Sequence, residues 1–399
     1  MSSIRILHAS DIHLARRALQ RSLPDQYKVI KLFTKNFFKD LEKGLLSGDL
    51  TSLKETFAGI LSKSSIALLE KSQNLADKEK LNAKIDRALE KLALSEDAFF
   101  RDFIAEITRA AGFATSFHPL ALDSLVNFAE SQSDLHAVIL SGDIATTGFT
   151  HDLLKAKQFL DGPTAGTLAA SQSLSHIRIP VWILPGNHDR YTYTGREWFF
   201  APGGTLFDQI LSNHWSGKVK TYPPLRDFTD DFSVLVLAAD FGLQDSSHST
   251  RLQRFNKLAQ GKVYDTVLTA LERATILLQD AERRDYPRHD QVVLWAVHFP
   301  PLFKGLSTAK SLLQASDLVN KAKELGVQAI LAGHTHYYRD YFAGDVRVLC
   351  AGSATQNDST MKHCQIISVN RRLRGSPAID VDHYEWDIDK VTFRLLRKK

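Results

Sequence analysis

The sequence predicts an α/β protein. Three observations carry this: short apolar runs rich in β-branched residues recur along the chain, most of them end in polar residues set off by glycine, and amphipathic helical segments lie between them. Runs of this kind suit central strands that carry functional loops at their carboxyl ends.

The first strand is read over Ile4–Ala9 and ends in Asp11-Ile12-His13. Ala137–Leu140 runs into Ser141-Gly142-Asp143, and Val181–Leu184 runs into Pro185-Gly186-Asn187-His188-Asp189. A further strand is read over Phe232–Ala239, Val292–Val297 ends in His298, and Gln328–Ala332 leads to Gly333-His334-Thr335-His336. Before that last strand, Leu312, Leu313, Ala315, Leu318, Val319 and Ala322 recur at helical spacing, so a helix is expected over Thr308–Leu325, stopped by Gly326. A second long helical stretch is read from about Ser249 to Arg284, and Gln365–Leu396 alternates like antiparallel edge strands, with Arg371, Arg372 and Arg374 at a turn. The interval from His13 to Asp143 departs from the pattern. Its apolar residues, among them Ile30, Phe33, Phe37, Leu41 and Leu45, follow a helical period, so an all-helical insertion is expected at residues 17–117, with residues 1–16 and 118–399 forming the α/β domain.

A chain of 399 residues with 44% hydrophobic content can bury a large core. The 50 basic and 45 acidic residues nearly balance at a net charge of +5, so no strong nucleic-acid field is demanded, although a phosphate-bearing substrate is compatible. Cys350 and Cys364 read as buried reduced thiols, and with neither an amino-terminal signal pattern nor a membrane-spanning apolar run, a cytoplasmic location is expected.

The chemistry is concentrated at the strand ends. Asp11, His13, Asp143, Asn187, His298, His334 and His336 offer hard oxygens and imidazoles in one recurring position, a donor set for two divalent metals, with Mn, Fe or Zn suited to the mixture. Two residues apart just past a strand, Asp11 and His13 are expected to point to one side. Asp143 has two oxygens with which to bridge two cations. Gly142, Gly186 and Gly333 are read as permitting tight turns and close approach of the backbone to phosphate oxygens. Taken singly, His298 can be a satisfied polar residue, Asn187 a turn former and Asp143 a helix cap. None of these readings explains the whole ordered set. His8, on the strand before Asp11, is read as a packing residue.

In order, the motifs are D-x-H, G-D, G-N-H-D, a lone H after a strand, and G-H-T-H, and this set resembles the calcineurin-like metallophosphoesterase superfamily across residues 4–336. The resemblance implies a four-layer α/β/β/α sandwich, here with the large helical insertion between the first two motifs. It also implies one metal held by Asp11, His13, Asp143 and His336 and a second by Asp143, Asn187, His298 and His334. A metal-bridging hydroxide would attack phosphorus, His188 would protonate the leaving group, and Asp189 would orient the His188 imidazole.

The wording from Val138 to Gly148, with Gly186-Asn187-His188-Asp189-Arg190 and His298-Phe299-Pro300-Pro301, is similar to class III cyclic-nucleotide phosphodiesterases. A small phosphoester, specifically a cyclic nucleotide or related diester, is therefore the expected substrate. Ile6–Leu14 is equally similar to SbcD-type DNA repair nucleases, so nucleic acid is the rival substrate, and a catalytically silent metal-binding scaffold is the non-enzymatic reading. No membrane partner is expected. The insertion is read as a cap or as the surface of a homodimer.

Overall fold

The computed structural model describes residues 3–15, 117–162, 172–194, 197–201, 203–243, 259–304, 311–356, 361–370 and 377–396. The expected helical insertion lies outside the described residues except for Phe117, which forms an isolated bridge to Gln356. Arg371, Arg372 and Arg374 also lie outside them.

Two sheets form the body. The first contains β1 (Ser3–Ala9), β2 (Leu135–Leu140), β3 (Val181–Ile183) and the carboxyl-terminal β15 (His363–Asn370), β16 (Ala378–Asp387) and β17 (Thr392–Leu395), in the order β17-β16-β15-β1-β2-β3. The second contains β6 (Val219–Thr221), β7 (Leu225–Asp227), β8 (Phe232–Ala239), β10 (Asp290–Val297), β12 (Val327–Ala332), β13 (Tyr338–Ala343) and β14 (Val346–Ala351), in the order β13-β14-β12-β10-β8-β6 with β7 also paired to β8. Two short pairs complete the strands: β4 (Thr192–Thr194) with β5 (Glu197–Ala201), and β9 (Gly261–Lys262) with β11 (Leu312–Leu313). The helices are α1 (Pro119–Ser131), α2 (Thr150–Asp161), α3 (Leu206–Ile210), α4 (Asp265–Asp285) and α5 (Ala315–Glu324).

The motif-bearing strands pair in parallel within each sheet: β1 with β2 and β2 with β3, then β8 with β10 and β10 with β12. Their buried, β-branched sequences fit a position covered on both faces, and all eight residues of β8 are buried. Side chains from both sheets share one core, with Ile6 and Val138 meeting Val236, Leu294 and Leu331. The other face of the second sheet packs on α4 and α5 through Trp295, Ile330, Leu271 and Leu318. With α1 and α2 joined to the first sheet's core, the layers are helix, sheet, sheet and helix.

Two boundaries differ from expectation. The helix read from Thr308 starts at Ala315, because Gln314 takes a left-handed conformation (φ 58°) and Leu312–Leu313 pair with Gly261–Lys262 instead. Gly326, at φ +68°, ends it as anticipated. The helix read from about Ser249 begins among the described residues only at Asp265. No helix among the described residues is long and apolar enough to cross a membrane.

Candidate metal centre

Parallel pairing brings the carboxyl ends of β1, β2 and β3 to one edge, and those of β8, β10 and β12 to the facing edge. The loops there are laced by their own backbone. Asp11 N donates to Gly142 O (3.0 Å), His13 N to Asp143 O (2.9 Å) and Gly333 N to His298 O (3.0 Å). Two hydrogen bonds then fix the carboxylates: His334 N donates to Asp11 Oδ2 (2.9 Å), and His188 N donates to Asp143 Oδ1 (2.8 Å). The remaining oxygens, Asp11 Oδ1 and Asp143 Oδ2, are buried and accept no hydrogen bond of good geometry, as is His13 Nδ1. Asp143 Oδ2 is thus the oxygen without a hydrogen-bond donor, while Oδ1 is held by the His188 amide.

Nine described non-glycine residues have positive φ, and Asp11, His13, Asp143, His334 and His336 are five of them (52° to 69°). Each left-handed non-glycine residue costs about 1–2 kcal/mol, and such strain persists where the surroundings impose it. Asp11 and His13 therefore converge through two strained backbone positions, not through the alternation of an extended strand. Three glycines lie at close approaches within the site. A Cβ on Gly186 would lie 2.1 Å from Asp143 Oδ1, and one on Gly333 would lie 1.8 Å from Ser10 Oγ and 2.7 Å from Asp11 Oδ2. These two glycines let neighbouring loops approach the carboxylates. Gly142 combines φ +99° with a close approach to His298.

The polar atoms gather in two adjoining groups, one formed by Asp11, His13 and His336 and the other by Asp143, His298 and His334, while Asp143, His13 and His188 link them. In the first group His336 Nε2 lies 3.2 Å from Asp11 Oδ1 and 3.3 Å from His13 Nε2. In the second, His298 Nε2 is 3.2 Å from Asp143 Oδ2 and 3.0 Å from Asn187 Oδ1, and His334 Nδ1 is 2.9 Å from the same Asn187 oxygen. His298 Nδ1 donates to Ser141 O (2.8 Å), which leaves the Nε2 lone pair of the neutral ring facing two oxygen acceptors. Acceptors converging at such distances require a cation or a proton between them, and the donor types and spacings fit divalent metals. The seven expected ligands are all brought together.

His188 Nδ1 donates to Thr146 O (2.8 Å), so Nε2 is left for the centre, and the ring lies 4.7 Å from that of His13. Asp189, expected to orient this imidazole, instead accepts from Ala145 N (2.7 Å), Gly186 N (2.9 Å) and Ile144 N (3.2 Å). It ties the Asp143 loop to the Asn187 loop, and the Thr146 carbonyl sets the imidazole. His8 packs beneath the site as expected, with Nε2 on Ser141 Oγ (2.8 Å) and Nδ1 accepting from Gln365 Nε2 (2.6 Å).

Sequence reasoning passed over two features. Arg190, fully buried, forks onto Asp208 (2.5 and 2.9 Å), reaches Asp240 Oδ2 (2.9 Å) and donates to Gly204 O (3.0 Å). Lys218 adds a contact to Asp240 (2.7 Å). Asp240 follows β8 in the same strand-end position as the metal-centre residues, a signal available in the sequence. Tyr191, also buried, accepts from Asn187 Nδ2 (2.5 Å) and packs its ring 4.7 Å from His188.

Burial opposes ionisation of Asp11, but the His336 interaction outweighs it and holds the carboxyl at about 2. Burial likewise opposes charge on His298, yet the adjacent Asp143 carboxylate raises it to about 9. Burial and then the Asp143 charge push Asp189 up to about 7, against its three amide donors. Burial lowers His188 and, more strongly, His334, to about 3. The raised His298 value gives a signed expectation for the metal-free chain. Its contribution to stability is fully present below about pH 6.5, the ordinary histidine value, and is lost as pH rises through about 9. Chelator-stripped protein should therefore melt at a lower temperature at pH 9.5 than at pH 6.5. A His298→Gln variant should show a smaller difference, and equal differences in the two proteins would contradict the assignment.

The family model for calcineurin-like phosphoesterases matches residues 116–338, more than half of the chain, and the protein belongs to this family. Its architecture is mixed α/β. The Asp11–His13 motif precedes the matched segment and reaches the site through the β1–β2 pairing. No curated protein sequence matches the chain. Among solved structures, GAP50 of Plasmodium overlaps 72% of this chain and 88% of its own, at 10% identity and a TM-score of 0.40. A Staphylococcus aureus protein described as a 5'-nucleotidase overlaps 70% of this chain at 10% identity and a TM-score of 0.38, and the Haemophilus influenzae NAD nucleotidase overlaps 71% at 12% and 0.34. The chain spans about half the length of these last two, 48% in each case.

Proposed function

We propose that the chain hydrolyses a phosphodiester, specifically a 3',5'-cyclic nucleotide or a related small diester, at a dinuclear centre. Asp11, His13, Asp143 and His336 would hold one ion, and Asp143, Asn187, His298 and His334 the other. The observation that carries this reading is the convergence of the open Asp11 and Asp143 oxygens with imidazole nitrogens in two groups that His13, Asp143 and His188 link. Divalent cations there supply Lewis acidity toward a phosphoryl oxygen and lower the pKa of water toward neutrality.

The chain's own groups do the rest. Backbone amides hold both carboxylates so that one oxygen of each faces inward. The Thr146 carbonyl fixes the His188 tautomer, so Nε2 is the atom that meets the substrate. Burial lowers the proton affinity of His188, and an anionic diester beside it raises that affinity again, so protonation accompanies substrate binding. His188 then gives its proton to the departing oxygen. A diester leaving as an alkoxide needs that proton far more than one leaving as a nitrophenolate. The stretch at residues 17–117 enters between the first two motifs, which favours a part as a cap or dimer surface beside the site.

The leaving-group argument provides the test. With manganese added, His188→Ala should lose at least about 100-fold in kcat on a cyclic nucleotide, yet less than about 10-fold on bis(p-nitrophenyl) phosphate, with metal content unchanged. Equal losses on both substrates would remove the general-acid role. Turnover confined to DNA would favour a nuclease.

A further inference from the structure

Asn187 differs from the other ligand candidates in having two chemically opposite ends. Its Oδ1 faces His298 Nε2 at 3.0 Å and His334 Nδ1 at 2.9 Å, while Nδ2 donates to the Tyr191 hydroxyl at 2.5 Å. An amide rotated by half a turn fills nearly the same space but would present N–H donors to the centre. That would withdraw from the centre the oxygen that both His298 Nε2 and His334 Nδ1 approach. The group that holds the outward Nδ2 therefore bears directly on the second metal position.

We propose that Tyr191 is a positioning residue that keeps the Asn187 carbonyl oxygen turned inward and so preserves the second metal position. The tyrosine is built for this by the local fold. The 3-10 turn His188–Arg190 brings Tyr191 back beneath Asn187, with Tyr191 N on His188 O at 3.2 Å. The following backbone is pressed against Gly148, where a Cβ would come within 2.2 Å of Tyr191 O. This close approach also accounts for the glycine that follows the Gly-Asp motif. The ring is buried against His188, so the hydroxyl cannot swing away without unpacking the site. Second-sphere contacts of this type govern ligand orientation at metal sites.

The inference rests on the metal-centre reading, and its test separates the two. Manganese binding to chelator-stripped protein is measured by titration calorimetry for wild type, Tyr191→Phe, Asn187→Asp and the double variant. Wild type should bind two ions, and Tyr191→Phe should weaken one of them by about 10–100-fold while leaving the other unchanged. A carboxylate at position 187 has two equivalent oxygens and needs no orientation, so in the Asn187→Asp background the same loss of the hydroxyl should change binding by less than about threefold. Equal weakening in both backgrounds, or none with Asn187 present, would overturn the inference. Wild-type protein binding fewer than two ions would overturn the metal-centre reading itself.

Discussion

Replacing Asp143 by alanine is expected to abolish stable binding of two ions and to lower diester hydrolysis by at least about a thousandfold. Asp143 is the carboxylate grouped with His298 and His334, its Oδ2 lying 3.2 Å from His298 Nε2, and it also stands with His13 and His188. Its loss leaves the second group with imidazoles and an amide but no anionic donor. Lewis-acid stabilisation worth several kcal/mol, taken as about 4, corresponds to that factor in rate. Metal content by mass spectrometry and kcat on a model diester check the two halves together. Lost activity with both ions retained would mean that Asp143 is not the shared ligand.

The second large effect falls on stability. Arg190→Ala should destabilise the chain by about 3–5 kcal/mol, the cost typical of removing one member of a buried ion pair. Arg190 is the cation shared by Asp208 and Asp240, and Asp240 is itself fully buried, with Lys218 as its remaining basic partner. The arginine also binds Gly204 O, so it anchors the loop after Asp189 to α3 and to the end of β8. Arg190→Lys should recover little, because an ammonium cannot serve both carboxylates and the carbonyl in the geometry of a guanidinium fork. Urea unfolding reads the change as a shift in midpoint. A loss below about 1 kcal/mol would mean that the network is ornamental to the fold.

These two residues also mark the limit of what the sequence discloses. The central strands are legible because burial on both faces leaves unbroken apolar runs, and Phe232–Ala239 is read with the bounds it has in the fold. The ligand set is legible because each member stands directly after such a run. Side-chain direction is less so. Asp189 follows His188 in sequence, but the intervening 3-10 turn sends its carboxylate to the amides of Ile144, Ala145 and Gly186, and a carbonyl from a different loop takes the imidazole. Left-handed conformations at Asp11, His13, Asp143, His334 and His336 leave no glycine to announce them. The start of α5 was displaced for the same reason, since Gln314 gives no outward sign of φ 58°. Tyr191 and Arg190 look like ordinary continuations of a motif until the fold places them under Asn187 and between two aspartates.

The most direct test of the dinuclear centre is metal stoichiometry: wild-type chain loaded with manganese, desalted and measured for metal and protein in one sample. Two ions per chain, falling to one or none in Asp143→Ala, is the expected result. A wild-type chain that retains no manganese, iron or zinc after loading with each would contradict it.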